Sequence, residues 1–82
     1  MRPGDLMVLK PIPSMKHVNL WTNKWDGPKI VLPDETCLVL IVSRHADFDQ
    51  APTGAVNVSD YCQVLWRGRV LNACIYNLHA VR

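Results

Sequence analysis

Three cysteines, three histidines and seven carboxylates are the residues with which this 82-residue chain could do covalent, metal or proton-transfer chemistry. Cys37, Cys62, Cys74 and His79 can be drawn as four zinc ligands. Cys62 and Cys74 stand nearly symmetrically about Gly68, and a three-residue loop there would set them directly across a hairpin. Zinc sites take ligands in close pairs from tight turns, which fix two at once, and no CxxC pair occurs here. Small thiols on a core face explain the same pattern, so no metal is expected. An odd cysteine count without an export signal argues for reduced thiols in a cytoplasm-like compartment. A Cys62–Cys74 disulfide is disfavoured as well, because directly opposed strand positions often suit its geometry poorly.

Nucleophilic catalysis needs a Cys or Ser activated by a base that a third group orients. His17, His45 and His79 are scattered, and no Cys or Ser sits in such a context. Asp47 and Asp49 flank Phe48 in a polar stretch, a pattern of solvated loops, and Asp34-Glu35 reads as a turn before a strand. There is no Gly-rich phosphate loop. These absences point to a protein that is not an enzyme, with no cofactor and no small-molecule substrate. Asn57-Val58-Ser59 matches a glycosylation sequon, which without an export signal is chance.

Binding chemistry is better represented. Lys16, His17, Trp21, Lys24, Trp25 and Lys29 interleave cations with rings, the recipe for single-stranded nucleic acid, and Lys16, Lys24 and Lys29 are its candidate contacts. Against this, charge is spread evenly: residues 1–41 hold five Lys+Arg and four Asp+Glu, and 42–82 hold four and three. So weak a field gives little phosphate-driven affinity.

The elements that must position these residues are strands. No window keeps a helical apolar stripe free of Pro, Gly or β-branched interruption. Asp5 to Lys10 is a short apolar run between Pro3-Gly4 and Pro11. Thr36 to Arg44 is apolar on both alternating faces, Leu38, Leu40 and Val42 on one, Cys37, Val39 and Ile41 on the other. Tyr61–Arg67 and Arg69–Tyr76 flank Gly68, the clearest hairpin signal in the chain. Asn77-Leu78 is a break, and 79–82 reads as a short closing strand. Pro11 to Glu35 is long for a structureless loop, so part of it, Val18 to Thr22 or Lys29 to Leu32, is expected to form its own ribbon. Residues 45–60 form a second long, polar loop.

Length and composition set the limits. A chain of 9.3 kDa, 49% hydrophobic and 20% charged, is too apolar for disorder and amounts to one domain over 1–82. Its longest apolar run, Cys37 to Val42, is far short of a membrane helix, so no membrane contact is expected. Met1 to Asp5 has no apolar stretch behind it to make a signal peptide. A domain this small absorbs few of its apolar residues. The excess falls on Met15, Val18, Leu20, Trp21 and Trp25 in the first loop and on Val39 and Ile41 of the Thr36–Arg44 strand; these are the candidate interface residues. The core is expected to hold Leu38, Leu40 or Val42, Val64 or Leu65, Trp66 and Leu71.

Taken in order, a short strand, a long loop, a strand, a loop, a tight hairpin, a one-turn break and a last strand make the plan of an SH3-like five-strand barrel with a long first loop. Arg2-Pro3-Gly4-Asp5-Leu6-Met7-Val8 and Val64-Leu65-Trp66-Arg67-Gly68 resemble the "PGDLV" opening and "VLW.G" hairpin of small SH3-like barrel proteins of tailed bacteriophages. Tyr76-Asn77-Leu78-His79-Ala80-Val81 is similar to their close. The resemblance covers about half the chain, and the long Trp-bearing loop departs from it. It implies a structural or adaptor component of a virion (capsid-associated, neck or tail), made in the host cytoplasm, whose partners are other virion proteins or copies of itself. The alternative is a small barrel that binds nucleic acid through its basic-aromatic loop.

Overall fold

The structure, a computed structural model, describes residues 1–22, 29–33, 37–48 and 57–81. Among them the fold is all-β. Seven strands, β1 Leu6–Leu9, β2 His17–Trp21, β3 Lys29–Pro33, β4 Cys37–Ser43, β5 Tyr61–Trp66, β6 Arg69–Cys74 and β7 Leu78–Ala80, form one antiparallel sheet. Its order is β3-β2-β6-β5-β4-β1-β7. Single 3-10 turns, Val58–Asp60 and Ile75–Asn77, precede β5 and β7. The expected strands appear within a residue or two of their sequence bounds, and the last pairs beside the first. The two segments expected as alternatives for a ribbon in the long first connection both form strands, β2 and β3, and pair with each other.

A flat sheet of seven strands would span about 29 Å and enclose nothing. Here Leu32 from one edge strand and Leu78 from the other join a single buried cluster with Leu9, Val18, Leu20, Val39, Ile41, Val64 and Leu71. The sheet must therefore curl around that cluster. One device for curvature is visible where β4 meets β5: Ile41 pairs with Val64 and Ser43 with Gln63, leaving Val42 as an extra residue. Such a bulge bends its strand and sharpens the local twist. A second is the β5–β6 turn, where Arg67 (φ 47°) and Gly68 (φ 77°) both take left-handed conformations between the paired Trp66 and Arg69. That pair of positive φ values matches the strand twist.

The register corrects several expectations. The β5–β6 turn has two residues rather than three, so Tyr61 faces Cys74 and Cys62 faces Ala73. Cys62 and Cys74 thus project from opposite faces of the sheet. On β4 the buried face is the reverse of the expected one: Val39 and Ile41 are each 1% exposed, whereas Leu38, Leu40 and Val42 face outward. Val39 and Ile41 are core residues, not surface ones. Val18 and Leu20 are likewise fully buried, because the ribbon β2–β3 folds its inner face onto the same cluster and Leu20 pairs opposite Ala73. Val64 and Leu71 are buried as expected, while Leu65 points outward. Trp66 is half-buried against the cluster, with the Arg67 guanidinium carbon 4.8 Å from its ring centre.

A groove floored by Trp21 and Tyr61

Alternation along β2 puts His17, Asn19 and Trp21 on the face away from Val18 and Leu20. That face meets Tyr61 at the start of β5 and Cys74 at the end of β6, the pair that the hairpin register sets opposite each other. Ile12 and Met15 from the β1–β2 connection and Asn77 from the 3-10 turn complete a mostly apolar groove of about 310 Å³. Trp21 meets Tyr61 edge-on, centroids 5.4 Å apart at 86°, and Phe48 meets the same ring at 5.7 Å and 79°. Edge-to-face packing of this kind fixes ring orientation as well as burying area.

Two asparagines hold the frame. Asn77 Nδ2 donates to the Lys10 carbonyl at 3.0 Å, and the Lys10 N–H donates to the Asn77 carbonyl at 2.9 Å, tying the 3-10 turn to the end of β1. Asn72, buried beside Trp21, donates from Nδ2 to the carbonyls of Thr22 and Asp47 and accepts the Asp47 N–H. A second cleft, of about 380 Å³, is also lined by Tyr61, together with Arg44, His45, Ala46 and Ser59. Its wall is braced by Arg44, which donates to the Ser59 carbonyl at 3.0 Å and to the Tyr61 carbonyl at 3.4 Å.

Within the groove one polar atom stands out: Asn19 Oδ1 is buried and has no hydrogen-bond partner. An orphaned amide oxygen costs about 1–3 kcal/mol, which a donor from a bound molecule would recover. Burial pushes the Tyr61 phenol up to about 12, with the nearby Cys74 and Asp60 adding to the rise, so Tyr61 stays neutral at physiological pH.

The groove also gathers His17, Cys74 and Asn77, three residue types that serve nucleophilic catalysis elsewhere. Their environment is opposed to that chemistry. Burial raises the Cys74 pKa despite hydrogen bonds from the backbone at Tyr76 and Asn77, whereas a reactive cysteine needs its thiolate favoured. The Asn77 amide is committed to Lys10. Cys62, deeper in the core, is pushed up to about 11, chiefly by burial. Among the described residues no three His, Cys, Asp or Glu side chains are grouped to hold a metal ion. No helix among them is long and apolar enough to cross a membrane.

Of the residues singled out in the sequence, Met15 and Trp21 meet in this groove, Met15 on its lip at 40% exposure and Trp21 in its floor at 9%. Lys16 and Lys29 are exposed, next to the His17 end of the ribbon and opposite Trp21 respectively. Trp25 and Lys24 lie outside the described residues. Asn19, Tyr61, Cys74 and Asn77 were not expected here; the signal for Asn19 was the alternation of β2 itself, once that segment is read as a strand. Compared with protein-family models, curated proteins and solved structures, the chain matches none.

Proposed function

We propose that the chain is an SH3-like barrel acting as a non-enzymatic structural or adaptor component of a tailed-phage particle, docked on another virion protein through the Trp21–Tyr61 groove. The fold assignment rests on the succession β7-β1-β4-β5-β6, with a tight hairpin, a 3-10 turn before the last strand and the β2–β3 ribbon in the long first connection. The PGDLM and VLWRG segments support it by resemblance. The observation that carries the docking reading is the orphaned Asn19 Oδ1 in a mostly apolar groove, which suits a partner segment offering one N–H or O–H donor among apolar side chains.

Nucleic acid is the weaker reading. Trp21 is 9% exposed and packed against Tyr61, so it offers a base little open surface on which to stack. Lys16 and Lys29 stand about five strand positions apart along the ribbon, roughly 17 Å, too far to act as one patch on a single phosphate.

The test is fractionation of an infected culture, with mass spectrometry on purified particles. The chain is expected in the particles, and Met15→Asp, on the exposed lip, is expected to leave the fold intact by circular dichroism while removing the protein from them. Presence in the infected cell but not in particles overturns the reading, as does normal incorporation of Met15→Asp.

A further inference from the structure

The face of the sheet that turns away from the core carries a row of aliphatic side chains crossing four strands. Leu6 on β1 lies opposite Leu40 on β4, Leu40 opposite Leu65 on β5, and Leu65 opposite Val70 on β6. Leu38 and Val42 flank Leu40 along β4. All six are 37% to 56% exposed. Directly opposed side chains on one face stand about 5 Å apart, so the row is continuous. A strand with one solvated face normally alternates apolar and polar. β4 does not: Leu38, Leu40 and Val42, its successive outward positions before Ser43, are all aliphatic.

We propose that a second copy of this chain docks on this surface, face to face, about a two-fold axis that runs across the strands. The proposal is independent of the groove and of the virion assignment. Area is the first argument. The six side chains expose on the order of 400 Å² of apolar surface, the size of the largest patch on an ordinary monomer. With a rim of Val8, Gln63 and the hairpin tip, each copy would contribute about 600 Å² or more, the lower range of a specific interface. Two twisted sheets packed this way interdigitate their side chains at a separation of about 10 Å.

Charge is the second argument, and it chooses the partner and the orientation. Val8 and Gln63, the outward neighbours of the row on β1 and β5, are uncharged, so an identical copy meets no like charge at the centre. Register places the Arg67-Gly68-Arg69 tip beyond Leu65, toward the Leu38 end of β4. An axis along the strands would bring the two arginine tips to the same end, whereas an axis across them sets the tips at opposite ends. A two-fold contact also closes on itself, which leaves no free copy of the patch to extend into fibres.

The experiment is sedimentation equilibrium on the purified full chain from micromolar to millimolar concentration, with far-UV circular dichroism on every variant. The mass is expected to rise from 9.3 kDa toward twice that value and stop there. Leu65→Lys, at the centre of the row, should weaken the dimer at least about tenfold; should it fail to fold, Val70→Lys at the more exposed position serves the same purpose. Val31→Lys, equally exposed on β3 but outside the row, should leave the dimer unchanged. A monomer throughout the range, a mass that climbs past the dimer, or equal effects of Leu65→Lys and Val31→Lys overturns the proposal.

Discussion

Asn72 and Asp47, 25 residues apart, are joined by a two-way amide pair: the Asp47 N–H donates to Asn72 Oδ1 at 2.8 Å, and Asn72 Nδ2 donates to the Asp47 carbonyl at 3.0 Å. The buried side chain imitates a neighbouring strand for a loop that has none, and its second N–H secures the Thr22 carbonyl at the end of β2. Asn72→Asp keeps the shape but turns both donors into acceptors facing carbonyls. It should cost about 3 kcal/mol or more, and Asn72→Ala about 2–4 kcal/mol. Urea unfolding with an unchanged slope would read these as stability losses; a shift under about 0.5 kcal/mol for both variants would show the staple to be dispensable.

Ile41 and Leu38 give the sharpest contrast on β4. Ile41→Ala, at a fully buried site, should cost about 2–5 kcal/mol, while Leu38→Ala, at 56% exposure, should cost less than about 1 kcal/mol. Equal costs measured by denaturant midpoint would mean that the faces of β4 are misassigned.

That contrast also shows where the sequence stops being legible. Period-two alternation located β4 and sorted its residues into two sets, but both sets are aliphatic, so nothing local said which set faces in. The choice is made by distant pairing: the backbone of Ile41 is hydrogen-bonded to Gly4 and Asp5, and its side chain sits beside Val64 on the inner face. The β2–β3 ribbon was legible as strand and illegible as core, because only its docking on β6 buries Val18 and Leu20. The groove was harder still. Asn19, Tyr61 and Cys74 are far apart in sequence, and a hairpin turn one residue shorter than expected is what sets Cys74 opposite Tyr61.

Gly68 has open space where a Cβ would sit, so its requirement is conformational alone. At φ 77° an L-alanine is strained and a D-alanine is not. Gly68→Ala should lower stability by about 1–2 kcal/mol, and D-alanine at the same position, introduced by chemical synthesis, should match or exceed the parent. Equal melting temperatures for the two enantiomers would refute the turn geometry.

Burial raises the Cys62 thiol from 9.0 to about 11 and the Tyr61 phenol from 10.0 to about 12. Between each pair of values the unfolded chain has lost a proton that the folded chain still holds, so rising pH favours unfolding. Stability should therefore fall from about pH 9 through pH 12. Cys62→Ala should reduce the slope between pH 9 and 11, leaving the share of Cys74 and Tyr61, while lowering stability at neutral pH through the void it leaves. An unchanged slope in that variant would assign the fall to other groups.

The last prediction separates stability from docking at the groove. Asn19 Oδ1 is buried without a partner, and leucine is close to asparagine in shape while needing no hydrogen bond. Replacing an unsatisfied polar group with an apolar one of similar size removes the desolvation penalty without opening a cavity. Asn19→Leu should thus raise stability by up to about 1 kcal/mol, a gain of several degrees in Tm for a chain of this length. If the oxygen is kept for a partner's donor, the same variant should bind that partner less well, since functional sites often retain such locally unfavourable groups. A stabilised protein with reduced incorporation into particles is the expected result. A destabilised one would mean that Asn19 supports the fold through contacts of its own, and the groove would then lose the polar handle on which its docking role depends.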